Sequence, residues 1–257
     1  MKNKIGTIAV IVSFGAIILL CLLSVFNQEY AEKTDFQRLE NFVTKSTETT
    51  ASTATQTNKL QEQKEVAEAS NYQPHSSVKL QSINPDSIGW IKISGTNINY
   101  PVMHTPDEPE KYLNKNYYGE YSQSGVPFLD FRCNTDSVNL IIYGHNMNNG
   151  TMFADLCKYT DYSYFKNHPT VVFETKEGTA QYNVFAVMKV KPDDNWYRFI
   201  SADIKKDYDK QIKYAKKRSL YDIGIIPKYD KQIITLSTCY GNYDRILVLA
   251  VKNQEVK

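Results

Sequence analysis

The chain has little of what metal and nucleotide sites are usually built from. Four histidines occur in 257 residues, and no two of them form a His-x-x-x-His pair. There is also no Cys-x-x-Cys, no acidic loop of the calcium-binding kind and no glycine-rich phosphate loop. No metal and no cofactor are therefore expected. Charge is equally muted: 30 Lys and Arg against 28 Asp and Glu leave a net charge of +2, with no basic block concentrated enough to hold a polyanion. Nucleic acid is excluded as an expected partner. No internal repeat appears. Cysteine is sparse as well, with Cys21 inside an apolar run and Cys133, Cys157 and Cys239 beyond it. An odd number outside that run leaves at least one thiol free. Whether Cys133 and Cys157 pair is open at this level, with two unpaired thiols the simpler expectation.

What is present begins at the N-terminus. Lys2 and Lys4 precede an uncharged run from Ile5 to Phe26, long enough to cross a hydrocarbon core of about 30 Å. A cleaved signal peptide would have a shorter apolar stretch ending in a small-x-small site. The run ends instead in Leu23-Ser24-Val25-Phe26-Asn27. An uncleaved transmembrane signal anchor over 1–26 is expected, its lysines holding the N-terminus in the cytoplasm and everything after Asn27 outside the cell. From residue 27 to 75 the composition shifts to Thr, Ser, Ala and Gln without apolar periodicity, an extracellular linker or stalk. Leu60 to Ala69 has helix formers enough for a short surface helix.

From residue 76 to 257 the pattern is that of one globular domain rich in short strands. Strands are expected at Ile88–Ile93, Asn97–Val102, Val126–Phe131, Val138–Tyr143, Thr170–Glu174, Gln181–Val190, Ile233–Thr238 and Ile246–Lys252, with Lys176-Glu177-Gly178 as a hairpin turn. Helical segments are expected near Glu108–Asn114, Met152–Lys158, Ser163–Asn167 and Ala202–Arg218. A mostly β domain with added helices follows, and about eight strands at this spacing suggest a closed barrel.

Three residues at expected strand ends carry candidate chemistry. Cys239 ends the run Thr235-Leu236-Ser237-Thr238-Cys239, Arg245 opens the next strand, and His145 follows Leu140-Ile141-Ile142-Tyr143-Gly144. A thiolate attacks carbonyls, an imidazole moves protons near neutral pH, and a guanidinium binds a developing oxyanion. Taken alone, a strand cysteine is more often a buried filler, a lone histidine structural, and an arginine at a strand start a partner for a neighbour such as Asp244. Together they suggest covalent thiol catalysis of acyl transfer.

The Thr235–Cys239 run with its downstream arginine resembles the signature of the sortases, the cysteine transpeptidases of Gram-positive cell surfaces. Further blocks resemble class B sortases in order and spacing: Ile88–Ile93, Asn99-Tyr100-Pro101-Val102, Tyr112-Leu113-Asn114, Phe128-Leu129-Asp130-Phe131-Arg132, Tyr143-Gly144-His145-Asn146-Met147 and Met152–Leu156. The resemblance runs from about Leu80 to Val251. It implies an eight-stranded sortase-type β-barrel in which Cys239 is the nucleophile, His145 the general acid and base, and Arg245 the oxyanion stabiliser. It implies a membrane-anchored transpeptidase that cuts a C-terminal sorting motif of secreted proteins through a thioacyl enzyme. The acceptor would be an amine of a peptidoglycan precursor or a pilin. With water as acceptor, the same residues would make a surface endopeptidase. Ser237, Thr238, Leu113, Tyr197 and Ile200 are carried over as substrate-groove positions, although packing accounts for the aromatics equally well. Asp130 is read as an ion-pair partner of Arg132 or another basic residue rather than as a catalytic acid. One departure stands out: the stretch between Cys239 and Arg245, Tyr240 to Asp244, is short for class B. This leaves the groove wall formed there, and the substrate preference with it, open.

Overall fold

The computed structural model describes residues 36–42 and 77–253, in two units divided between Thr55 and Gln56. In the first unit, residues 36–42 form a short helix, α1. Among the described residues no helix is long and apolar enough to cross a membrane. The apolar run 5–26, the helix expected within 60–69 and the linker boundary at 75 lie outside them.

The second unit is built on eight strands: β1 (Ser87–Lys92), β2 (Asn99–Met103), β3 (Phe128–Leu129), β4 (Asn139–Tyr143), β5 (Thr170–Thr175), β6 (Gly178–Val190), β7 (Ile233–Tyr240) and β8 (Asp244–Lys252). They close in the order β1-β2-β3-β4-β7-β8-β6-β5, with β5 pairing back onto β1. Neighbours run antiparallel except at β2/β3 and β4/β7, which are parallel. A parallel pair needs a long crossover. The one between β4 and β7 contains β5, β6, the helices α3 (Tyr162–Asn167) and α4 (Lys205–Arg218), and 3-10 turns at Ala154–Thr160 and Asn195–Arg198. Helix α2 (Ser77–Ile83) precedes β1.

Two-residue alternation along the strands divides the apolar side chains into two cores. Ile234 and Leu236 of β7, with Ile246, Val248 and Ala250 of β8, fill the barrel interior with Ile91, Val102, Leu140, Ile142 and Phe173. The alternate set faces outward: Ile233, Leu247, Leu249 and Val251 are covered by Trp196, Phe199, Tyr208, Ile212 and Ala215 from the 195–199 segment and α4. Helix α4 therefore docks because its apolar face, Tyr208, Ile212 and Ala215, is spaced to meet the sheet while its lysines other than the half-buried Lys216 stay in solvent. Between the layers, Asn139 uses both ends of its amide. It donates to the Phe199 carbonyl at 2.8 Å and accepts from the Thr235 hydroxyl at 2.8 Å, and that hydroxyl in turn takes the Trp196 indole N–H at 3.0 Å. This buried polar knot fixes the 195–199 segment against β4 and β7.

The expected strands and helices recur with shifted ends, and three differences have physical causes. The strand expected over 126–131 shrinks to Phe128–Leu129, because the chain there bridges β2 on one side and β4 on the other for only two residues. The helix expected over 152–158 is a 3-10 turn starting at Ala154, since Met152 holds a left-handed backbone at φ 54°. Helix α2 and the 195–198 turn carry too few residues to show a period.

Candidate active site

The alternation that buries Ile234 and Leu236 inside the barrel places Thr235, Ser237 and Cys239 on the outer face of β7. Cys239 is the first exposed residue of that strand, after six buried ones. Across the β7–β8 hairpin its direct partner is Arg245. Tyr240 pairs with Asp244, and the turn is only Gly241 to Tyr243, so the short connection seen in the sequence forms a tight hairpin rather than a loop. On the other side, the parallel β4–β7 register pairs Tyr143 with Ser237 and continues through Gly144, whose N–H donates to the Ser237 carbonyl at 3.1 Å. Two residues beyond Tyr143 comes His145, and two beyond Ser237 comes Cys239. The thiol, imidazole and guanidinium thus come from three adjacent strand ends, β4, β7 and β8, on one face of the barrel.

The ends are tied together by short polar contacts. Asn146 Nδ2 donates to the Cys239 carbonyl at 3.0 Å. Thr238, on the inner face and buried, donates its hydroxyl to the Gly144 carbonyl at 2.8 Å. Gly144 lies flat against the Phe153 ring, and a Cβ there would come within 2.6 Å of it. His145 gives its own carbonyl to the Phe153 N–H at 2.8 Å, and its Nε2 lies 2.9 Å from the Leu113 carbonyl oxygen. Arg245 Nη1 donates to the Asp244 carbonyl at 3.0 Å. The Asp244 carboxylate is taken by Lys189 and Lys191. Among the described residues no carboxylate pairs with Arg245, which leaves its guanidinium available to an anion.

Behind the site runs a chain of aromatic and charged groups. Tyr197 OH lies 2.8 Å from Ser237 Oγ, and its ring stacks on Tyr143 at 6.1 Å. Burial pushes the Tyr197 phenol up to about 12, against the opposing pull of Ser237 and of the nearby Arg245 charge, so it stays neutral. Tyr143 OH donates to Asp130 at 2.8 Å, and Arg132 grips the same carboxylate with Nε at 2.8 Å and Nη2 at 2.6 Å. Arg132 Nη2 also reaches the Tyr197 carbonyl at 2.8 Å. Asp130 is thus an ion-pair partner, as its spacing from Arg132 suggests, and it anchors the segment bearing Tyr197. Burial raises the Asp130 carboxyl, but the hydrogen bonds from Arg132, the backbone and Tyr143 outweigh it and hold the group below its ordinary value. A lowered native pKa stabilises the fold above the unfolded value, about 3.9, and the contribution disappears as the pH falls through the native one. Asp130→Asn is therefore expected to cost about 2 kcal/mol at pH 7 and to flatten the acid limb of the stability curve below about pH 4. Urea unfolding across pH reads both.

Of the expected groove positions, Leu113 sits at the end of the 3-10 turn Lys111–Leu113 with its carbonyl on His145. Ser237 and Tyr197 meet beside the site. Ile200 packs against the barrel and accepts from the Asn139 N–H at 3.1 Å. Thr238 points away from the face that carries Cys239. Two neighbours of Cys239 were not singled out from sequence. Asn146 stood unremarked inside the Tyr143–Met147 block. Cys157 comes from the 154–160 turn, its Sγ 3.6 Å from the Cys239 carbonyl. Burial, and then the adjacent Cys239, pushes the Cys157 thiol up. Cys133, Cys157 and Cys239 are all free thiols. Of the other histidines, His168 Nδ1 contacts the Ser94 carbonyl at 2.9 Å, His104 is half-buried near Asp130, and His75 lies outside the described residues. No group of residues able to hold a metal ion occurs among those described.

A closed barrel presenting a thiol, an imidazole and a guanidinium on one face is the layout of a cysteine acyl-transfer enzyme. The comparisons agree with it. The sequence model of the sortase domain matches residues 91–253. Sortase B of Staphylococcus aureus is 34% identical over 177 residues, which cover 66% of this chain and 72% of that protein. Sortase B of Listeria monocytogenes is 35% identical over 164 residues, 62% of this chain and 65% of that one. Among solved structures, a Staphylococcus aureus sortase B–substrate complex superposes with a TM-score of 0.65 at 32% identity, covering 70% of this chain and 85% of that one. A sortase B complexed with triglycine superposes with a TM-score of 0.72 at 26% identity, covering 88% and 99%. The chain belongs to the sortase family of cysteine transpeptidases, in its class B.

Proposed function

We propose that this chain is a membrane-anchored class B transpeptidase in which Cys239, His145 and Arg245 carry the reaction. The observation that supports it most is the direct β7–β8 pairing of Cys239 with Arg245, with His145 delivered alongside by the parallel β4. In this reading the Cys239 thiolate attacks the scissile carbonyl of a sorting motif in a secreted protein's C-terminal tail. Arg245 receives the oxyanion. The tetrahedral adduct collapses, the C–N bond breaks, and His145 protonates the departing amine, leaving a thioacyl enzyme. An amine of a peptidoglycan precursor or a pilin then attacks the thioester, gives its proton to His145, and the C–S bond breaks to restore the thiolate. The 5–26 run would hold the enzyme in the cell membrane with its N-terminus in the cytoplasm, and the linker to residue 75 would carry the barrel outward. The relatives' names support the substrate class, since one solved sortase B is a substrate complex and another is complexed with triglycine.

The test uses the full chain in detergent micelles with quenched peptides carrying Asn-Pro-x-Thr-x and Leu-Pro-x-Thr-Gly-like motifs, with and without triglycine, the products being read by mass spectrometry. Amine-linked product supports the transpeptidase. Hydrolysed peptide alone, even with triglycine in excess, supports the endopeptidase reading instead. No cleavage of either motif would refute both motif classes and shift attention to the wall left short by the 241–243 turn.

A further inference from the structure

We infer that the main-chain carbonyl of Leu113, buttressed by Gly125, is the group that orients the His145 imidazole and selects its tautomer. The inference rests on the reading of His145 as the acid and base. A carbonyl oxygen only accepts hydrogen bonds, so the His145 nitrogen 2.9 Å away, Nε2, must be the one that carries a proton in the neutral ring. Nδ1 is thereby left as the nitrogen that takes up and releases the proton. Cysteine and serine catalysts commonly give this orienting task to a carboxylate or an amide side chain. Here Asp130, the buried carboxylate behind the site, is occupied by Arg132 and Tyr143, and a backbone oxygen meets the ring.

A backbone acceptor can fix a ring only if the backbone itself is fixed, and the 111–113 turn is held from two sides. On one side the Tyr112 hydroxyl donates to Asp86 at 2.8 Å and accepts from Asn84 Nδ2 at 2.7 Å, while Lys111 Nζ binds the same Asp86 at 2.8 Å. On the other side Val126 N–H donates to the Tyr112 carbonyl at 3.0 Å. Gly125 itself sits at φ +59°, and a Cβ on it would come within 2.5 Å of both the Tyr112 and the Leu113 carbonyl oxygens. A side chain at position 125 therefore forces a shift between Gly125 and the 112–113 carbonyls, and the inference is that the Leu113 carbonyl leaves its line to the imidazole. Gly125 is a positioning residue: it acts through Leu113 on His145.

The experiment uses the full chain in micelles, labelled with 15N-histidine, the His145 signals being assigned by their loss in His145→Gln. Long-range 15N–1H spectra above the titration of the ring are expected to show the Nε2–H tautomer. In Gly125→Ala the two tautomers should mix, and kcat should fall on the order of 10- to 100-fold. A wild-type ring protonated on Nδ1 overturns the inference. So does a folded Gly125→Ala protein with unchanged tautomer and kcat. If Gly125→Ala does not fold, Tyr112→Phe releases the turn from Asp86 and Asn84 while keeping the ring. Tautomer mixing and a several-fold loss of kcat there support the inference, and neither change overturns it. Full turnover in His145→Gln would sink the acid–base reading itself, whatever tautomer the wild-type ring shows.

Discussion

Replacing Cys239 by alanine is expected to abolish both cleavage and amine transfer while leaving the barrel folded. In the proposed mechanism the thiolate makes and breaks the only covalent bond between enzyme and substrate, so no other group can take over its step. The neighbouring Cys157 is a poor substitute, because burial disfavours its thiolate and it approaches the Cys239 backbone rather than the outer face. Stability should hardly move. Cys239 is exposed at the end of β7, and its backbone partners, Asn146 Nδ2 and the Arg245 pairing, do not depend on sulfur. A change within about 0.5 kcal/mol is expected, as for other surface positions. Thermal unfolding beside the peptide assay checks both halves. Turnover near wild type in a folded Cys239→Ala protein would remove Cys239 from the mechanism.

Arg245 is expected to produce the second-largest effect. Removing one preorganised oxyanion donor typically lowers kcat by about 100- to 1,000-fold, about 3–4 kcal/mol of transition-state stabilisation. Arg245→Ala should fall in that range with KM little changed, because the charge it meets develops after binding. Arg245→Lys should recover only part of the loss. Lysine keeps the positive charge, but it lacks the planar fork that donates two parallel hydrogen bonds. The guanidinium makes one intramolecular bond, to the Asp244 carbonyl, and no ion pair among the described residues. Both variants should therefore unfold near the wild-type temperature. A fall in kcat that tracked a fall in melting temperature would instead make Arg245 a structural residue of the hairpin.

How much of this was legible in the sequence differs from one residue to the next. The strand ends bearing Cys239 and Arg245 could be read directly, because a hairpin is a local structure and the apolar runs on either side of 240–244 set its register. His145 could be placed at a strand end, but nothing in the order of residues says that β4 lies beside β7. Nearly a hundred positions separate His145 from Cys239, and the pairing between them is parallel and non-local. The tie from Leu113 to His145 was equally hidden, since it runs through a carbonyl that every residue possesses. Thr238 shows the opposite case. It was adjacent to the nucleophile in sequence, yet strand alternation turns its side chain to the other face.

The sequence by itself determined the β-rich class, most strand positions, the three candidate reactive side chains and the likeness to class B sortases, because side-chain chemistry and two-residue periodicity are written residue by residue. Only the tertiary structure decided which strand ends converge, which face of the barrel carries the thiol, that Tyr143 joins Arg132 on Asp130, and that a backbone oxygen meets the imidazole. Those outcomes depend on barrel closure and on a crossover that buries α4 over β6 to β8, where the free energy of packing distant segments, rather than any local preference, selects the neighbours.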